Sequence, residues 1–127
     1  GVYLKHIISA FRRNGQTPLL CNLQPLDNEK FFAAHAEYQS LQVMKLDPHA
    51  WHGSYSDQIE VVARELQVRV VDIRSALERE AGAATASDGL HPNDHGHEII
   101  ATTILDSLRT LDPALKIHER LPQTRKL

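Results

Sequence analysis

The sequence predicts an α/β domain with parallel strands, because two short apolar runs lie among several amphipathic helical segments. The first run, LLCNL at residues 19–23, shows no alternation of apolar and polar residues, as is typical of a strand buried on both faces. The second run, VRVVDI at residues 68–73, is rich in β-branched residues. The predicted order is therefore helix, strand, helix, helix, strand, helix, helix.

Length and composition indicate one soluble globular domain. The chain has 127 residues, of which 42% are apolar and 24% charged, as in folded rather than disordered proteins. The net charge of −2 predicts neither a nucleic-acid partner nor an anionic membrane surface. No apolar run approaches the roughly 18 residues that a membrane span needs. The single cysteine, Cys21, excludes an internal disulfide and leaves the compartment open, with the cytoplasm slightly favoured.

Helical segments lie on both sides of the first strand. The segment before it carries an i, i+3, i+4, i+7 apolar stripe, whose members are Leu4, Ile7, Ile8 and Phe11. After the strand, LDNEKFFAAHAEYQSL at residues 26–41 predicts a helix capped by Asp27. The next segment, residues 45–54, contains the breakers Pro48 and Gly53 and therefore predicts a loop.

The second half of the chain repeats this pattern. Ser54 and Asp57 resemble a capping box, and they predict the start of a helix whose apolar stripe is Ile59, Val62, Ala63 and Leu66. After the second strand, residues 75–82 predict a short helix that a glycine ends. Residues 93–111 predict a long amphipathic helix that begins at an asparagine cap.

Two strands are few for this many amphipathic helices. Parallel sheets are usually larger and are covered on both faces, so the apolar stripes exceed what two strands can cover. Residues 1–111 are therefore predicted to form the second half of a larger α/β domain. Residues 112–127, with two prolines and little pattern, predict an extended tail.

The segment SDGLHPNDHGHEIIA, residues 87–101, combines residue types that suit acid–base catalysis. Pro92 restricts His91 to extended backbone angles and Asn93 is a good helix cap, so His91 is expected just outside a helix N-terminus. The helix dipole there disfavours the imidazolium form. Asp88 can accept the Nδ1–H of His91, which leaves Nε2 free to face a hydroxyl group.

This segment resembles the last block of the SGNH (GDSL-type) esterase and acylhydrolase superfamily. In that block D-x-x-H-P supplies the catalytic aspartate and histidine, and a Gly-His pair follows in the helix. The resemblance implies that Asp88 and His91 are triad members and that Gly96-His97 is the helical pair. It covers about residues 1–111 and implies a partial flavodoxin-like three-layer α/β/α fold, of which this chain carries the second half.

The blocks that would carry the nucleophile do not occur in these 127 residues. The family's serine belongs to a G-D-S segment, and its oxyanion donors include a glycine and the asparagine of a G-x-N-D segment. The resemblance therefore implies an ester hydrolase to which this chain contributes Asp88 and His91, with no cofactor required. The serine, the oxyanion hole and further strands are expected from an N-terminal half or a second copy, and the chain alone is expected to be inactive.

Two other interpretations stay open. Asp88 and His91 can form only a capped turn, in a truncated chain that persists as an inactive interaction or structural module. A metal site is the other alternative, because four potential ligands crowd together, namely His91, Asp94, His95 and His97. However, His95 and His97 are two apart on a helix and point in different directions, so no metal is predicted.

Three aromatic residues near one another are candidate substrate-binding residues. Trp51, His52 and Tyr55 lie in or beside the loop predicted after the first strand, and ligands of α/β sheets bind beyond the carboxyl ends of strands. Alternatively, Trp51 only covers the edge of the core. The substrate is expected to be a small-molecule ester, and the aromatic content of 6% favours a small or polar one.

Overall fold

The computed structural model describes residues 1–112, which contain two strands and six α-helices. The strands are β1 (Leu19–Cys21) and β2 (Arg69–Val71). The helices are α1 (Val2–Arg13), α2 (Asn28–Ala34), α3 (Gln39–Val43), α4 (Pro48–Glu65), α5 (Ile73–Glu78) and α6 (Asp94–Leu111). A 3-10 turn (Ala36–Tyr38) joins α2 to α3. Apart from residue 112, the predicted tail lies outside the described residues.

The sheet confirms the predicted α/β class. β1 and β2 pair in parallel, with Leu20 opposite Val70, so these two side chains point to the same face. They pack against a core formed by Ile8 of α1, Val62 and Ala63 of α4, and Val68, which precedes β2. One face of the sheet is therefore covered by α1 and α4.

The opposite face carries α6. Leu19 and Arg69 precede Leu20 and Val70 in the register and point to the other side. They line a cavity together with Leu108 and Leu111 of α6, and α6 also packs against α5 and β2. The short sheet thus lies between two helical layers.

Half of the apolar stripe of α1 is uncovered. Ile8 is fully buried in the core and Leu4 packs against it. Ile7 and Phe11, from the same predicted stripe, are 53% and 46% exposed. This exposure is unusual for large apolar side chains that share one helix face.

The loop predicted at residues 45–54 is wrong, because α4 begins inside it. The Asp47 side chain accepts a hydrogen bond from the Ala50 backbone N–H at 3.0 Å and caps the helix. Pro48 occupies the first turn, where the missing N–H costs nothing and the fixed φ suits the helix. The capping box predicted at residues 54–57 lies within α4 and does not begin it.

The helix predicted at residues 26–41 forms as three short pieces, although its cap is the predicted one. Asp27 accepts a hydrogen bond from the Lys30 N–H at 3.1 Å. α2 ends at His35, whose backbone angles of φ −121° and ψ 76° are not helical. The irregular apolar pattern of this segment supports no single buried face, so packing divides it.

The remaining elements follow the predictions with shorter strands. Each strand has three residues and ends before a polar residue of the predicted run, Asn22 after β1 and Asp72 after β2. α6 begins after Asn93, which caps it as predicted by accepting from the Gly96 N–H at 2.9 Å. Across residues 1–112, none of the helices has the length and apolar character to cross a membrane.

Candidate active site

Asp88 organises the loop that carries His91. One carboxylate oxygen, Oδ1, accepts the backbone N–H groups of Leu90 at 2.9 Å and of His91 at 3.0 Å. The other oxygen, Oδ2, lies 2.6 Å from His91 Nδ1. Because Oδ1 fixes the backbone while Oδ2 meets the ring, a single aspartate sets both the turn and the orientation of the imidazole.

These hydrogen bonds keep Asp88 ionised. The bond from the His91 side chain and then the two backbone N–H groups hold the pKa of the Asp88 carboxyl well below its usual range. An ionised carboxylate only accepts hydrogen bonds, so Nδ1 of His91 must carry the proton that it shares. In the neutral imidazole, Nε2 is then left with its lone pair and can act as a base.

His91 lies where the chain enters α6. Its side chain is 71% exposed, while its backbone carbonyl accepts the Ala86 N–H at 2.8 Å and holds the loop closed. Gly96, in the first turn of α6, is buried so tightly that a Cβ there would overlap the Ala84 carbonyl oxygen. The helix start is therefore pressed onto the loop, which explains the glycine of the predicted Gly96-His97 pair.

The same loop is anchored to the start of α2. The Gly89 carbonyl accepts the Asp27 N–H at 3.0 Å, and Gly89 has φ +73°. Lys30 Nζ donates to the carbonyl oxygens of Gly82 at 2.8 Å and of Thr85 at 2.9 Å. These bonds join the His91 loop to a helix nearly 60 residues earlier in the chain.

A cavity of about 770 Å³ opens beside His91. We call it the apolar cavity because its walls are mainly Leu26, Phe31, Tyr38, Leu41, Leu46 and Trp51. Its polar members include Gln24, Asp47, His52 and His91. Gln24 follows β1, so the cavity lies beyond the carboxyl end of that strand, where α/β folds bind ligands.

The three predicted aromatic residues take different positions around this cavity. Trp51 and His52 line it together with His91. Tyr55 does not line it, but its ring packs edge-on against Trp51 at a centroid distance of 5.2 Å. All three lie on α4 and not in the predicted loop, and their role in substrate binding stays a prediction.

A polar cluster lies behind the first turns of α4. His49 Nδ1 is 2.7 Å from the Leu26 carbonyl oxygen, and Nε2 is 3.0 Å from Arg74 Nη2. Arg74 also pairs with Glu78 at 2.8 Å and donates its backbone N–H to the buried side chain of Asn22. The cluster joins α4, α5 and the end of β1, which makes it a structural link.

His52 is held in its neutral form. Burial, followed by the charge of Arg74, lowers the pKa of the His52 imidazole, and a hydrogen bond with the Gln24 backbone acts in the opposite direction. Its Nδ1 atom is buried and has no hydrogen-bond partner among the described residues. The side of the apolar cavity formed by His52 is therefore uncharged near neutral pH.

The alternative metal site has no assembled ligand set in the described part of the chain. Among residues 1–112, no three or more histidine, cysteine or acidic side chains are grouped so that they could hold an ion. His95 Nε2 instead lies 3.2 Å from a Glu80 carboxylate oxygen. His91 is engaged by Asp88.

Within residues 1–112, no serine hydroxyl makes a described hydrogen bond to the His91 ring. Ser9 donates to Lys5, Ser54 donates to Trp51, Ser56 exchanges bonds with Leu23, and the Ser75 side chain bonds to Asp72. In the described hydrogen bonds, the His91 ring has one partner, the Asp88 carboxylate, to which Nδ1 donates. Asp88 therefore orients an imidazole whose Nε2 makes no described hydrogen bond.

Sequence reasoning missed most of the wall of the apolar cavity. Leu41 and Leu46 face the cavity from the segment between the 3-10 turn and α4. Tyr38 stacks on Phe31 at a centroid distance of 5.6 Å and extends the wall. The sequence did contain one indication of this wall, because the apolar residues of the segment do not form a single helical stripe. Such a pattern indicates that they contact something other than the main core.

Comparison with known proteins gives one family. The family model described as GDSL-like Lipase/Acylhydrolase matches residues 2–104. No curated protein matches the chain. The match extends through the Asp88–His91 loop and most of α6.

Proposed function

Because the chain belongs to the GDSL-like lipase/acylhydrolase family, we propose that it supplies Asp88 and His91 to the Ser-His-Asp triad of an ester hydrolase. The observation that carries this proposal is the 2.6 Å contact between Asp88 Oδ2 and His91 Nδ1. It leaves Nε2 free to act as a base, and His91 is one of the residues that line the apolar cavity. The nucleophilic serine and the oxyanion donors lie outside this chain.

In the proposed reaction, His91 moves protons and Asp88 positions it. Nε2 takes the proton of the serine hydroxyl as the serine oxygen attacks the ester carbonyl. It returns that proton to the alcohol oxygen when the C–O bond breaks and the acyl-enzyme forms. In the second half-reaction it takes a proton from the water that attacks the acyl-enzyme carbonyl. It returns that proton to the serine oxygen as the acyl–serine C–O bond breaks and the carboxylic acid leaves. The ionised Asp88 stabilises His91 whenever the ring is an imidazolium.

We also propose that further polypeptide, either an upstream half or a second copy of the chain, extends the sheet. Two observations support it: β1 and β2 form only a two-stranded sheet within residues 1–112, and α1 exposes Ile7 and Phe11. An added strand and helix would cover this apolar surface. An inactive interaction module has the same exposed surface, so activity is the observation that separates the two functions.

A fluorophosphonate probe tests the proposed function. The purified chain should show no labelled serine, because covalent catalysis needs the missing nucleophile. If an upstream segment supplies the serine, the polypeptide that includes it should be labelled at one serine and should hydrolyse esters. Stoichiometric labelling of a serine in the 127-residue chain would contradict the proposed triad. A cooperatively unfolding, monodisperse monomer of that chain would contradict the proposed sheet extension.

The matched control uses two histidines close together in the sequence. In the longer, active polypeptide, His91→Ala should abolish labelling, whereas His95→Ala should leave it unchanged. His95 is exposed and contacts Glu80 rather than Asp88. Equal labelling of the two variants would remove His91 from the mechanism.

A further inference from the structure

A second cavity lies at the opposite end of the sheet from the apolar cavity. Its volume of about 660 Å³ lies within the range of about 300–1,000 Å³ that small-molecule sites occupy. The starts of both strands and the final turns of α1 and α6 surround it. We call it the basic cavity, because its lining includes the arginines Arg12 and Arg69 beside the leucines Leu19, Leu108 and Leu111.

The basic cavity presents positive charge without a compensating carboxylate. Arg12 and Arg69 are the charged members of its lining within residues 1–112, and no aspartate or glutamate joins them there. Asp112 follows Leu111 in the chain but does not line the cavity. A molecule that entered would therefore meet two guanidinium groups, the side chains that best match a carboxylate or a phosphate.

Arg12 is held in place before any ligand binds. Its Nη2 atom donates to the Leu66 carbonyl at 2.7 Å and to the Gln67 carbonyl at 3.3 Å. These two carbonyls lie where α4 ends, and Gln67 has the left-handed φ of 51°. A guanidinium carries N–H groups on three nitrogens, and neither Nε nor Nη1 of Arg12 has a partner in the described hydrogen bonds. Those donors remain for an anion.

Arg69 occupies a position where a parallel strand normally has an apolar residue. It lies opposite Leu19 in the register, on the face of the sheet that carries α6, and strands between two helical layers are typically apolar. Its side chain is exposed and makes no hydrogen bond or ion pair among residues 1–112. Water therefore solvates this guanidinium until an anion replaces it, and the fold itself does not use the charge.

The leucine walls favour a ligand that also has an apolar part. Leu19 and Leu108 are half-buried, and Leu111 is 46% exposed although it belongs to the apolar stripe of α6. An inorganic anion would pair with the arginines and leave these side chains in water. An alkyl chain attached to the anion would cover them, and burial of apolar surface is favourable.

We propose that the basic cavity binds an amphipathic anion. Its carboxylate or phosphate group pairs with Arg12 and Arg69, and its short alkyl chain packs on the leucine walls. The site lies at the amino ends of the strands, away from His91, so it goes beyond the proposed function and does not depend on it. A bound molecule would contact α1, both strands and α6 at once and would stabilise the folded chain by mass action.

Isothermal titration calorimetry with simple probes tests the ligand chemistry. The purified 127-residue chain, in the assembly that it forms in solution, is titrated with inorganic phosphate, butyl phosphate, hexyl phosphate, hexanoate and hexanol. From butyl to hexyl phosphate, each methylene that enters the cavity should tighten Kd about fourfold. Hexanol, which has the chain without the charge, should bind at least about tenfold more weakly than hexyl phosphate. The tighter of hexyl phosphate and hexanoate identifies the head group.

Two arginine variants locate the binding. Arg69 lines the basic cavity, whereas Arg13 lies beside Arg12 and does not line it. Both side chains are exposed, so the variants should fold, and each substitution by glutamine removes one positive charge. Arg69→Gln should weaken hexyl phosphate binding at least about tenfold, and Arg13→Gln should change it by less than about twofold.

Three outcomes would overturn this inference. They are a Kd that does not change between butyl and hexyl phosphate, hexanol binding as tight as that of hexyl phosphate, and equal weakening by Arg69→Gln and Arg13→Gln. The proposed function is tested separately, because it depends on His91 and on a serine. Loss of the anion site would leave the proposed triad intact, and an inactive triad would leave the anion site intact.

Discussion

Two histidines near helix starts, His91 and His49, have similar local sequences and opposite surroundings. Each lies within three residues of an aspartate and next to or near a proline, as Asp88-Gly-Leu-His91-Pro and Asp47-Pro-His49. Asp88 contacts the ring of His91 at 2.6 Å. Asp47 instead caps α4 and bonds to the Asn28 side chain.

The two rings differ in which nitrogen remains available. Arg74 always donates, so Nε2 of His49 accepts from it and Nδ1 donates to the Leu26 carbonyl, which uses both nitrogens. His91 uses only Nδ1 in the described contacts. An acid and a histidine at a helix start therefore do not define a base, because one ring nitrogen must also remain unused.

The largest expected effect is a loss of activity that distinguishes His91 from His49. In a polypeptide that contains this chain and hydrolyses esters as proposed, His91→Ala should lower kcat/KM by at least about 10⁴-fold, the scale of a lost triad member. Its free energy of unfolding should change little, because the side chain is 71% exposed. His49→Ala should keep kcat/KM within about tenfold but lose about 1–2 kcal/mol of stability, because the Arg74 and Leu26 bonds are removed.

Ester hydrolysis and urea denaturation of both variants measure these effects. A loss of activity in His49→Ala as large as that in His91→Ala would contradict the distinction between the two histidines. Unchanged stability in His49→Ala would show that its two ring bonds contribute nothing.

The next effect, measured in the same polypeptide as the histidine variants, compares glycines in the two regions. A Cβ on Gly89, which has φ +73°, would overlap the Phe31 backbone nitrogen and lie 2.6 Å from the Asp27 carbonyl oxygen. Gly89→Ala should therefore lose more than about 3 kcal/mol of unfolding free energy. A Cβ on Gly53 meets only the tip of Arg74, at 3.1 Å, so Gly53→Ala should change stability by no more than about 1 kcal/mol.

Gly15 provides the control for backbone conformation. It has φ +72°, close to that of Gly89, but a Cβ added there would meet no described atom within 4 Å. Gly15→Ala should cost about 1–2 kcal/mol, the left-handed penalty alone. Equal losses for Gly89→Ala and Gly15→Ala in urea denaturation would show that the close approach to α2 does not hold the His91 loop.

The smallest expected effect is a pH dependence of stability that arises from His52 on α4. Since burial lowers the pKa of His52 in the folded protein, the unfolded chain binds the proton more readily. Its contribution to stability is thus complete above the ordinary pKa of 6.5 and is lost as pH falls through the lower, folded pKa. The contribution should stay below about 1 kcal/mol because solvent screens a partly exposed ring.

Thermal unfolding of the wild type and of His52→Gln at about pH 7.5 and about pH 5.5, on either side of the ordinary histidine pKa, measures this dependence. The wild type should lose more of its Tm on acidification than the variant does. An identical loss in both proteins would assign the pH dependence to other groups.

Local hydrogen bonds made the candidate pair predictable. Asp88 and His91 are three residues apart in the sequence. Asn93 and Gly96, whose hydrogen bond caps α6, are also three residues apart. The α1 stripe and the two strands were likewise visible as local patterns. The start of α4 was missed because Pro48 was interpreted as a breaker, although at the first turn of a helix it is favoured.

The sequence by itself determined the α/β class, the places of the two strands among the helices and the Asp88–His91 pair, since each depends on patterns or contacts within a few residues. Only the tertiary structure decided that His49 is engaged on both nitrogens while His91 is not, since Arg74 and Leu26 are far from His49 in the chain. It also brought Phe31, Leu46 and Trp51 together beside His91. Such contacts depend on packing between distant segments, which no local pattern specifies.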